Sequence, residues 1–521
     1  MCGIAFVLGD ESAAEALAAD VAPLLQRRGP DVSGRHSIDL GGGRVLLAIG
    51  SVLHLRGSHP QAQPIRASGS NSWLLWNGEI YDGLSMSDTD NDGARLFERL
   101  SECPSEMLAT LSAIKGEWAL AFYDAPRSRL VFGRDFFGRR SLVQLVEADT
   151  LAIASVIPTN AHGWSEVPAG SCLFEVDVSL PSVRIIEHPW QPPAYICVNS
   201  ESKDALVAPV GRLNACLAVP SDDEVESASV ALASVLKAAV GRRVSTAPAP
   251  LDTPDAARVA ILFSGGLDCA VISAFADAFV PPSEPIDLLN VVFENHRASS
   301  TSIFDAPDRR TALSTHAELC AVFPHRRWRL ILENIPRAEL DAHASHILSL
   351  AAPHGSVLDY SLAASIWFAA RGVGVDAQSG APASTSARVL LLGMGADEQL
   401  GGYSRARSRF DSGGWAALQA ELQMDVDRIA SRNLGRDDRI VGDHGREARF
   451  PFLDEDVVKY LGSLPVAVKT DPAAGREHGD KRLLRRVARE LGLKGAAAQP
   501  KRAIQFGSRI ANPAQKGSDA V

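Results

Sequence analysis

Val259-Ala-Ile-Leu-Phe-Ser264-Gly265-Gly266-Leu267-Asp268-Cys269-Ala-Val271 is the stretch whose reading decides the fold. It opens as an apolar, strand-like run, turns through Ser-Gly-Gly, and continues with helical spacing to about Phe279. A strand that feeds a helix through paired glycines turns several backbone N–H groups, and the positive end of the helix dipole, toward one point. That point suits an anion, most often a phosphate. A Cβ at either glycine would block close approach or force an unfavourable φ. Asp268 would repel a bare phosphate, and it makes sense there when a Mg²⁺ lies between the carboxylate and a pyrophosphate. An ordinary strand–turn–helix corner would read the same from this stretch alone.

The pattern is neither Gly-x-x-x-x-Gly-Lys-Ser/Thr nor Gly-x-Gly-x-x-Gly. Ser264-Gly265-Gly266-Leu267-Asp268 resembles the pyrophosphate loop of ATP-pyrophosphatases, enzymes that adenylate a substrate and release pyrophosphate. One departure stands at Cys269, where that loop ends in Ser. A thiol is a weak hydrogen-bond donor.

A chain of 521 residues exceeds one core and suggests two domains. Its 46% hydrophobic and 22% charged residues fit a globular protein. A formal charge of −10 argues against a general nucleic-acid or membrane-surface binder. Seven scattered cysteines without a Cys-x-x-Cys pair form neither a disulfide framework nor a zinc pattern. No apolar run approaches the ~18 residues of a transmembrane helix, and no signal peptide is legible, so a reduced, cytoplasmic compartment is expected.

The chain begins Met1-Cys2-Gly3-Ile4. Removal of Met1 would leave Cys2 with a free α-amine that can serve as base for its own thiol. A buried Cys in a first strand is the plainer alternative. Arg28-Gly29-Pro30-Asp31 reads as a turn, and Trp73-Leu-Leu-Trp76-Asn77-Gly78-Glu79-Ile80-Tyr81 as a strand broken by an Asn-Gly hairpin signal. An Asn amide and a Gly N–H can together face a developing oxyanion. Glu117–Asp124 and Leu130–Asp135 read as paired strands, and 155–157 with 172–176 continue the β pattern. Together Met-Cys-Gly-Ile, Arg-Gly-Pro-Asp, Asn-Gly-Glu-Ile-Tyr and Gly133-Arg-Asp135-x-x-Gly138 resemble the class II glutamine amidotransferase domain. The resemblance implies Cys2 as nucleophile on the glutamine amide and Asn77 with Gly78 as oxyanion hole. It also implies Glu79 bordering the substrate and Asp92 holding the α-ammonium. The family has an Arg on the strand before a Gln-Pro turn to grip the glutamine carboxylate. Here Arg56 lies closer to Gln63-Pro64, and a shift along a strand can face the opposite side.

From about 190 to 257 the sequence loosens into a linker with helical spacing over Ser227–Val240. Pro285–Phe293 reads as a buried parallel strand and Trp328–Leu332 as a third. Ser299–Thr315 and Gln378–Ser386 read as surface insertions. Arg388–Leu392 is another strand, ending in Gly393-Met394-Gly395-Ala396-Asp397-Glu398. Asp268 and Asp397 at two strand ends could share a metal–pyrophosphate group, or simply cap helices. Gly393–Tyr403 and Gly445–Asp454 resemble the signature pair of the asparagine synthetase domain. The whole chain thus resembles the glutamine-hydrolysing asparagine synthetase family. Phe132–Ser141, Asn433–Arg439, Gly442–Gly445 and Pro500–Gly507 resemble its asparagine synthetase domain-containing protein 1 subgroup.

The resemblance implies an α+β N-terminal nucleophile domain (class II glutamine amidotransferase, αββα sandwich) followed by an α/β doubly wound domain of ATP-pyrophosphatase type. The expected boundaries are 2–190, a linker over 191–257, 258–510, and a flexible tail over 511–521. Ammonia freed from glutamine at Cys2 would resolve an aspartate adenylated by ATP, giving asparagine, AMP and pyrophosphate. An enclosed passage would keep the ammonia unprotonated. Ser264, Gly265, Gly266 and Asp268 would hold pyrophosphate and Mg²⁺, and Asp397 would assist the metal. Leu392 and Gly393 would line the ATP, Phe293 would touch the adenine unless it is a core aromatic, and Lys481 would neutralise phosphate charge. Glutamine, aspartate and ATP are the implied partners, with no nucleic acid or membrane, and a homodimer is compatible with the family. Met394 stands where active members carry Glu, the group assigned to adenylate formation and to accepting a proton from the attacking ammonia. Methionine can do neither. An amidotransferase for another carboxylic acid, or an interaction protein that keeps the fold, are the alternatives.

Overall fold

The computed structural model describes residues 2–510 except 88, 148, 160, 194–203, 251, 252, 254 and 296–302; the expected tail over 511–521 lies outside the described residues. Two compact units divide the chain, and they are not two continuous pieces. The described residues of 1–209, 348–354 and 430–447 form the first; those of 210–347, 355–429 and 448–510 form the second.

The first unit runs β1 (Gly3–Asp10), α1 (Glu11–Arg28), β2 (Val32–Gly41), β3 (Arg44–Val52), β4 (Ile65–Arg66), β5 (Trp73–Gly78), α2 (Asp92–Glu102), α3 (Met107–Ala113), β6 (Trp118–Asp124), β7 (Arg129–Arg134), β8 (Val143–Glu147), β9 (Thr150–Ala154), β10 (Ser165–Glu166), β11 (Cys172–Asp177) and β12 (Ile185–Pro189). Two six-stranded sheets result, in the orders β10-β8-β9-β1-β3-β2 and β12-β11-β7-β6-β5-β4. The period of two along β1 explains the layering. Ile4, Phe6 and Leu8 enter the core between the sheets with Trp73, Leu75 and Phe132. Ala5 and Val7 face the other way, onto Ala14, Ala18, Val21 and Leu25 of α1. Leu74, Trp76, Leu120 and Phe122 likewise meet Leu96, Phe97 and Leu100 of α2. The central strands of both sheets are therefore buried on both faces, and the expected αββα sandwich is what forms. Asp10 caps α1 by accepting from Ser12 and Ala13 main-chain nitrogens at 3.0 and 3.3 Å.

Segment 430–447 belongs to this unit because buried charges hold it there. Arg28, 0% exposed, meets Asp438, also 0% exposed, at 2.5 Å. Arg27 forks onto Asp443 at 2.6 and 2.7 Å, and Arg140 reaches Glu447 at 3.2 Å.

In the second unit, α4 (Asp222–Ser245) is longer than the sequence pattern suggested. Its N-terminus carries a reciprocal capping box between Ser221 and Glu224, and it buries Leu232, Leu236, Ala239 and Val240, so it is core rather than linker. There follow β13 (Val259–Leu262), α5 (Leu267–Ala276), β14 (Ile286–Phe293), α6 (Pro307–Val322), β15 (Trp328–Ile335), α7 (Arg337–Ala351), α8 (Val357–Arg371), β16 (Val373–Asp376), β17 (Pro382–Ser384), β18 (Val389–Leu391), α9 (Ala396–Leu400), α10 (Ser404–Arg432) and β19 (Glu447–Arg449). The sheet order is β17-β16-β15-β14-β13-β18-β19, and β15, β14, β13 and β18 are mutually parallel. All eight residues of β14 are buried, as a central parallel strand requires. The strand order reverses between β13 and β18, the place where doubly wound sheets take ligands.

One expectation is corrected here, and a second stretch gains detail. The run Ser299–Thr315, in its described part, is not an insertion. From Pro307 it forms α6, which buries Asp308, Arg309, Thr311, Thr315 and His316: Arg309 Nε donates to Asn290 Oδ1 at 2.8 Å, and Thr315 Oγ1 to Gly265 O at 2.7 Å. Inward polar side chains hid the helical period. Gln378–Ser386 contributes β17, an edge hairpin with β16 in which Asp376 Oδ1 accepts from Ser379 N at 2.8 Å. No described helix is long and apolar enough to cross a membrane.

Candidate functional site

β1 starts at Gly3 and so sets Cys2 at one end of the inter-sheet core, while β5 ends at Asn77-Gly78. Asn77-Gly78 is not a hairpin turn. Both residues pair in register with Ala119 and Trp118 of β6, because the flanking aromatics extend the strand through them. The Cys2 main-chain nitrogen donates to Asn77 Oδ1 at 2.9 Å. The Asn77 side chain is fully buried and its Nδ2 has no partner. A Cβ on Gly78 would lie 2.6 Å from Glu117 O, so only glycine fits there.

One pocket is lined by Cys2, Gly78, Glu79 and Asp92, with Arg56 and Glu447 also in its wall. Asn91 caps α2, which presents Asp92. Asp92 accepts from Gly93 N at 2.8 Å and Trp76 Nε1 at 3.2 Å. Burial pushes its carboxyl up, and the Arg56 guanidinium works against that. Arg56 follows the end of β3 in a non-strand segment, so strand alternation does not govern where it points; its Nη1 donates to Ile80 O at 2.6 Å. Burial also pushes the Cys2 thiol up, with Glu447 and Asp92 adding to the effect. Glu447 went unassigned in sequence reading because its motif, Gly445-Arg-Glu447-Ala-Arg449, looks like part of the second domain. Gln63 was missed as well: its amide clamps β5 through Trp76 N and O at 2.7 and 2.8 Å.

In the second unit, Ser264-Gly265-Gly266 joins β13 to α5. Gly265 has φ +76°, and a Cβ there would meet the Thr311 backbone at 2.4 Å. Gly266 is the N-cap residue of α5, and no side chain caps that end, so its first-turn N–H groups stay available to a ligand. Leu392 N donates to Arg449 O at 3.0 Å beyond β18. A Cβ on Gly393 would come within 3.0 Å of Asp268 Cβ, so this glycine lets the two strand ends approach. Lys481 joins them. Its Nζ donates to Asp268 Oδ1 and Oδ2 at 2.7 and 2.6 Å and pairs with Asp397 Oδ1 at 2.7 Å. Lys501 pairs with the other oxygen of Asp397. Burial opposes charge on Asp397, but the two ammoniums outweigh it and hold its carboxyl well below the usual range.

Sequence reading assigned no role to Lys501, nor to the Glu398–Tyr403 pair, in which the Tyr403 hydroxyl donates to Glu398 Oε1 at 2.5 Å. The motif Pro500-Lys501 was the available signal. Phe293 is a core aromatic here, 2% exposed and edge-on to Phe368, not a face open to a nucleotide. Cys269 Sγ donates to Gly266 O at 3.2 Å, and burial first, then Asp268, pushes its thiol up to about 11. It is a neutral brace for the loop. Met394 lies in the turn between β18 and α9 and brings no carboxylate there.

Among the described residues no three His, Cys, Asp or Glu side chains gather as a metal-ligand set. Asp268 and Asp397 are two carboxylates beside a glycine cradle. Mg²⁺ commonly takes one or two carboxylates and completes its shell with phosphate oxygens and water. The residues therefore fit a magnesium nucleotide, with Lys481 and Lys501 as fixed cations at the same place.

Two family models match the chain, glutamine amidotransferase domain over residues 1–165 and asparagine synthase over 407–516. The chain is 37% identical to asparagine synthetase domain-containing protein 1 of Gallus gallus, covering 98% of this chain and 97% of that protein. It is 31% identical to an asparagine synthetase domain-containing protein of Saccharomyces cerevisiae, covering 96% and 89%. It is 24% identical to a putative asparagine synthetase [glutamine-hydrolyzing] of Methanocaldococcus jannaschii, covering 86% and 79%.

Proposed function

The chain belongs to the asparagine synthetase domain-containing protein 1 family, and on that premise we propose that it is a glutamine-dependent, ATP-using amide ligase with aspartate as acceptor. The observation that carries the proposal is the Cys2–Asn77 contact, 2.9 Å between main-chain nitrogen and Oδ1, in a pocket that also holds Gly78, Asp92 and Arg56. Once Met1 is removed that nitrogen is a primary amine. It takes the Cys2 thiol proton as sulfur attacks the glutamine carboxamide, and later passes it to the departing ammonia. Asn77 Nδ2 and Gly78 N–H receive the developing oxyanion. Arg56 and Asp92 grip the α-carboxylate and α-ammonium, and Glu79 borders the substrate.

In the second unit Ser264, Gly265 and Gly266 cradle pyrophosphate, and Leu392 with Gly393 walls the nucleotide. Asp268 and Asp397 would hold Mg²⁺, and Lys481 would neutralise phosphate charge beside them. The magnesium nucleotide supplies activation of the acceptor carboxylate when bound. These side chains orient it.

Met394 favours a second reading, an acceptor acid other than aspartate whose amidation uses a different base. Glutamine hydrolysis by the wild-type chain and by Cys2→Ala, with and without aspartate and ATP, separates the two. Aspartate-dependent pyrophosphate release supports the first reading, and glutamine hydrolysis without it supports the second. Loss of neither activity in Cys2→Ala, or an intact mass that retains Met1, overturns the role given to Cys2.

A further inference from the structure

β4 is only two residues long, and β5 runs on past it toward the pocket of Cys2. The ladder pairs Ile65 with Leu74 and Arg66 with Trp73, and extending that register by two residues brings Gln63 opposite Trp76. There a side chain continues the pairing. Trp76 N donates to Gln63 Oε1 at 2.7 Å, and Gln63 Nε2 donates to Trp76 O at 2.8 Å. A carboxamide carries the same acceptor and donor as a peptide group, so it can close a strand edge as a neighbouring strand would.

The main-chain end of Gln63 is seated on the first sheet. Gly34 and Gly50 face each other across β2 and β3. A Cβ on Gly34 would lie 2.4 Å from Gln63 O, and one on Gly50 would lie 2.5 Å from Gln63 Cβ, so the glycine pair leaves the notch in which Gln63 rests. Gln63, 4% exposed, thus bridges the two sheets in the wall of the pocket. What it holds is the peptide that leads into Asn77, because Trp76 O and Asn77 N belong to one planar unit. Asn77 is held on the opposite edge by its pairing with Ala119 of β6. Fixed from both edges, Asn77 keeps its Oδ1 at 2.9 Å from the Cys2 nitrogen. Groups that meet a transition state act only in the productive geometry, and a misplacement of about 1 Å can cost about 10²-fold.

We infer that Gln63 is a positioning residue for the oxyanion hole: its carboxamide locks the Trp76–Asn77 peptide so that Asn77 Nδ2 and the Gly78 N–H meet the glutamine carbonyl in the transition state. The inference rests on the glutaminase reading of the first unit. Gln63 acts through Trp76 and not on the substrate.

The test measures steady-state glutamine hydrolysis by the full chain, as wild type, Gln63→Met and Gln63→Glu, from about pH 5 to about pH 8. Gln63→Met keeps the length of the side chain and makes neither bond. Its kcat should fall by about tenfold or more, with KM changed only a few-fold. Gln63→Glu keeps the shape: ionised, it has no donor for Trp76 O, and protonated, it has one. Burial raises such a carboxyl above its ordinary ~4.3, so the kcat of Gln63→Glu relative to wild type should recover several-fold as pH falls. The same ratio for Gln63→Met should stay flat. Cys2, His54, Arg56, Glu79, Asp92 and Glu447 line the pocket in all three proteins, which is why ratios to wild type are read. An undiminished kcat in Gln63→Met overturns the inference, and so does a loss confined to KM. Loss in both variants with no recovery in acid overturns it too, since that is what a residue that only packs would give. Where circular dichroism shows that Gln63→Met does not fold, the pH ratio of Gln63→Glu decides alone. A wild-type chain that hydrolyses no glutamine removes the glutaminase reading, and this inference with it.

Discussion

The Cys2 main-chain nitrogen donates to Oδ1 of Asn77 at 2.9 Å, and this bond fixes which way the Asn77 amide faces: its oxygen is occupied and its buried Nδ2 is left without a partner. An unmade buried donor is costly, of order 1–3 kcal/mol, and is retained where a ligand oxygen satisfies it. Asn77→Ala should lower kcat for glutamine hydrolysis by about 10²–10³, the usual effect of removing one oxyanion donor, and change KM by only a few-fold. Steady-state kinetics checks this. A rise in KM with kcat preserved would place Asn77 in ground-state binding instead.

The Arg28–Asp438 pair ties residues 430–447 to the first unit with no exposure on either side chain to speak of. Breaking a buried pair by removing one charge costs about 3–5 kcal/mol, because the survivor stays desolvated. Asp438 also accepts from Ser141 N at 3.0 Å, which adds to the loss. Asp438→Asn should therefore shift the denaturant midpoint of the first unit strongly downward. The double variant Arg28→Met/Asp438→Leu should recover much of that shift. A single variant with the wild-type midpoint would show the pair to be energetically idle.

How much of this was legible depended on whether the signal was local. The alternation in β1 and the Ser-Gly-Gly turn before α5 are local, and both elements formed where the pattern put them. Asn77-Gly78 carried a strong local signal for a hairpin, yet Trp73–Trp76 pairs so extensively with β6 that the strand runs through it. α6 was missed because Asp308, Arg309 and Thr311 face inward, reversing the usual polar-out pattern. The placement of Glu447 in the pocket of Cys2, and of Lys481 on Asp268 213 residues away, depends on pairings distant in sequence, and no spacing rule reaches that far.

Asp308 sits in the first turn of α6, largely buried, and burial raises its carboxyl to about 7 against the pull of Arg502 and Lys501. In the unfolded chain the same group titrates near its ordinary 3.8. Between those values the folded state binds more protons, so stability falls as pH rises through this window and levels off above about 7. Asp308→Asn cannot titrate. Its stability relative to wild type should grow by a few kcal/mol from pH 4 to pH 8, with most of the gain before pH 7. Urea midpoints at several pH values measure this, and a difference independent of pH would contradict it.

Met394 occupies the turn between β18 and α9, in the loop that ends at Asp397, and is neither donor nor base. The second unit also has the groups that the proposed reading uses: the glycine cradle, two carboxylates and two lysines. If amide formation is slow for want of a proton acceptor, the defect is confined to one side chain. Supplying a general base is worth about 10²–10⁴ in rate. Met394→Glu should then raise ammonia-dependent amide formation by about tenfold or more, even from an imperfect position, while glutamine hydrolysis at Cys2 stays as it was. Pyrophosphate release and amide yield, measured with ammonia in place of glutamine, separate activation from amidation. A gain in both with aspartate supports an aspartate ligase slowed by a single substitution. No gain in either with aspartate, against a gain with another carboxylic acid, would move the acceptor away from aspartate and show that Met394 helps to shape the acceptor pocket.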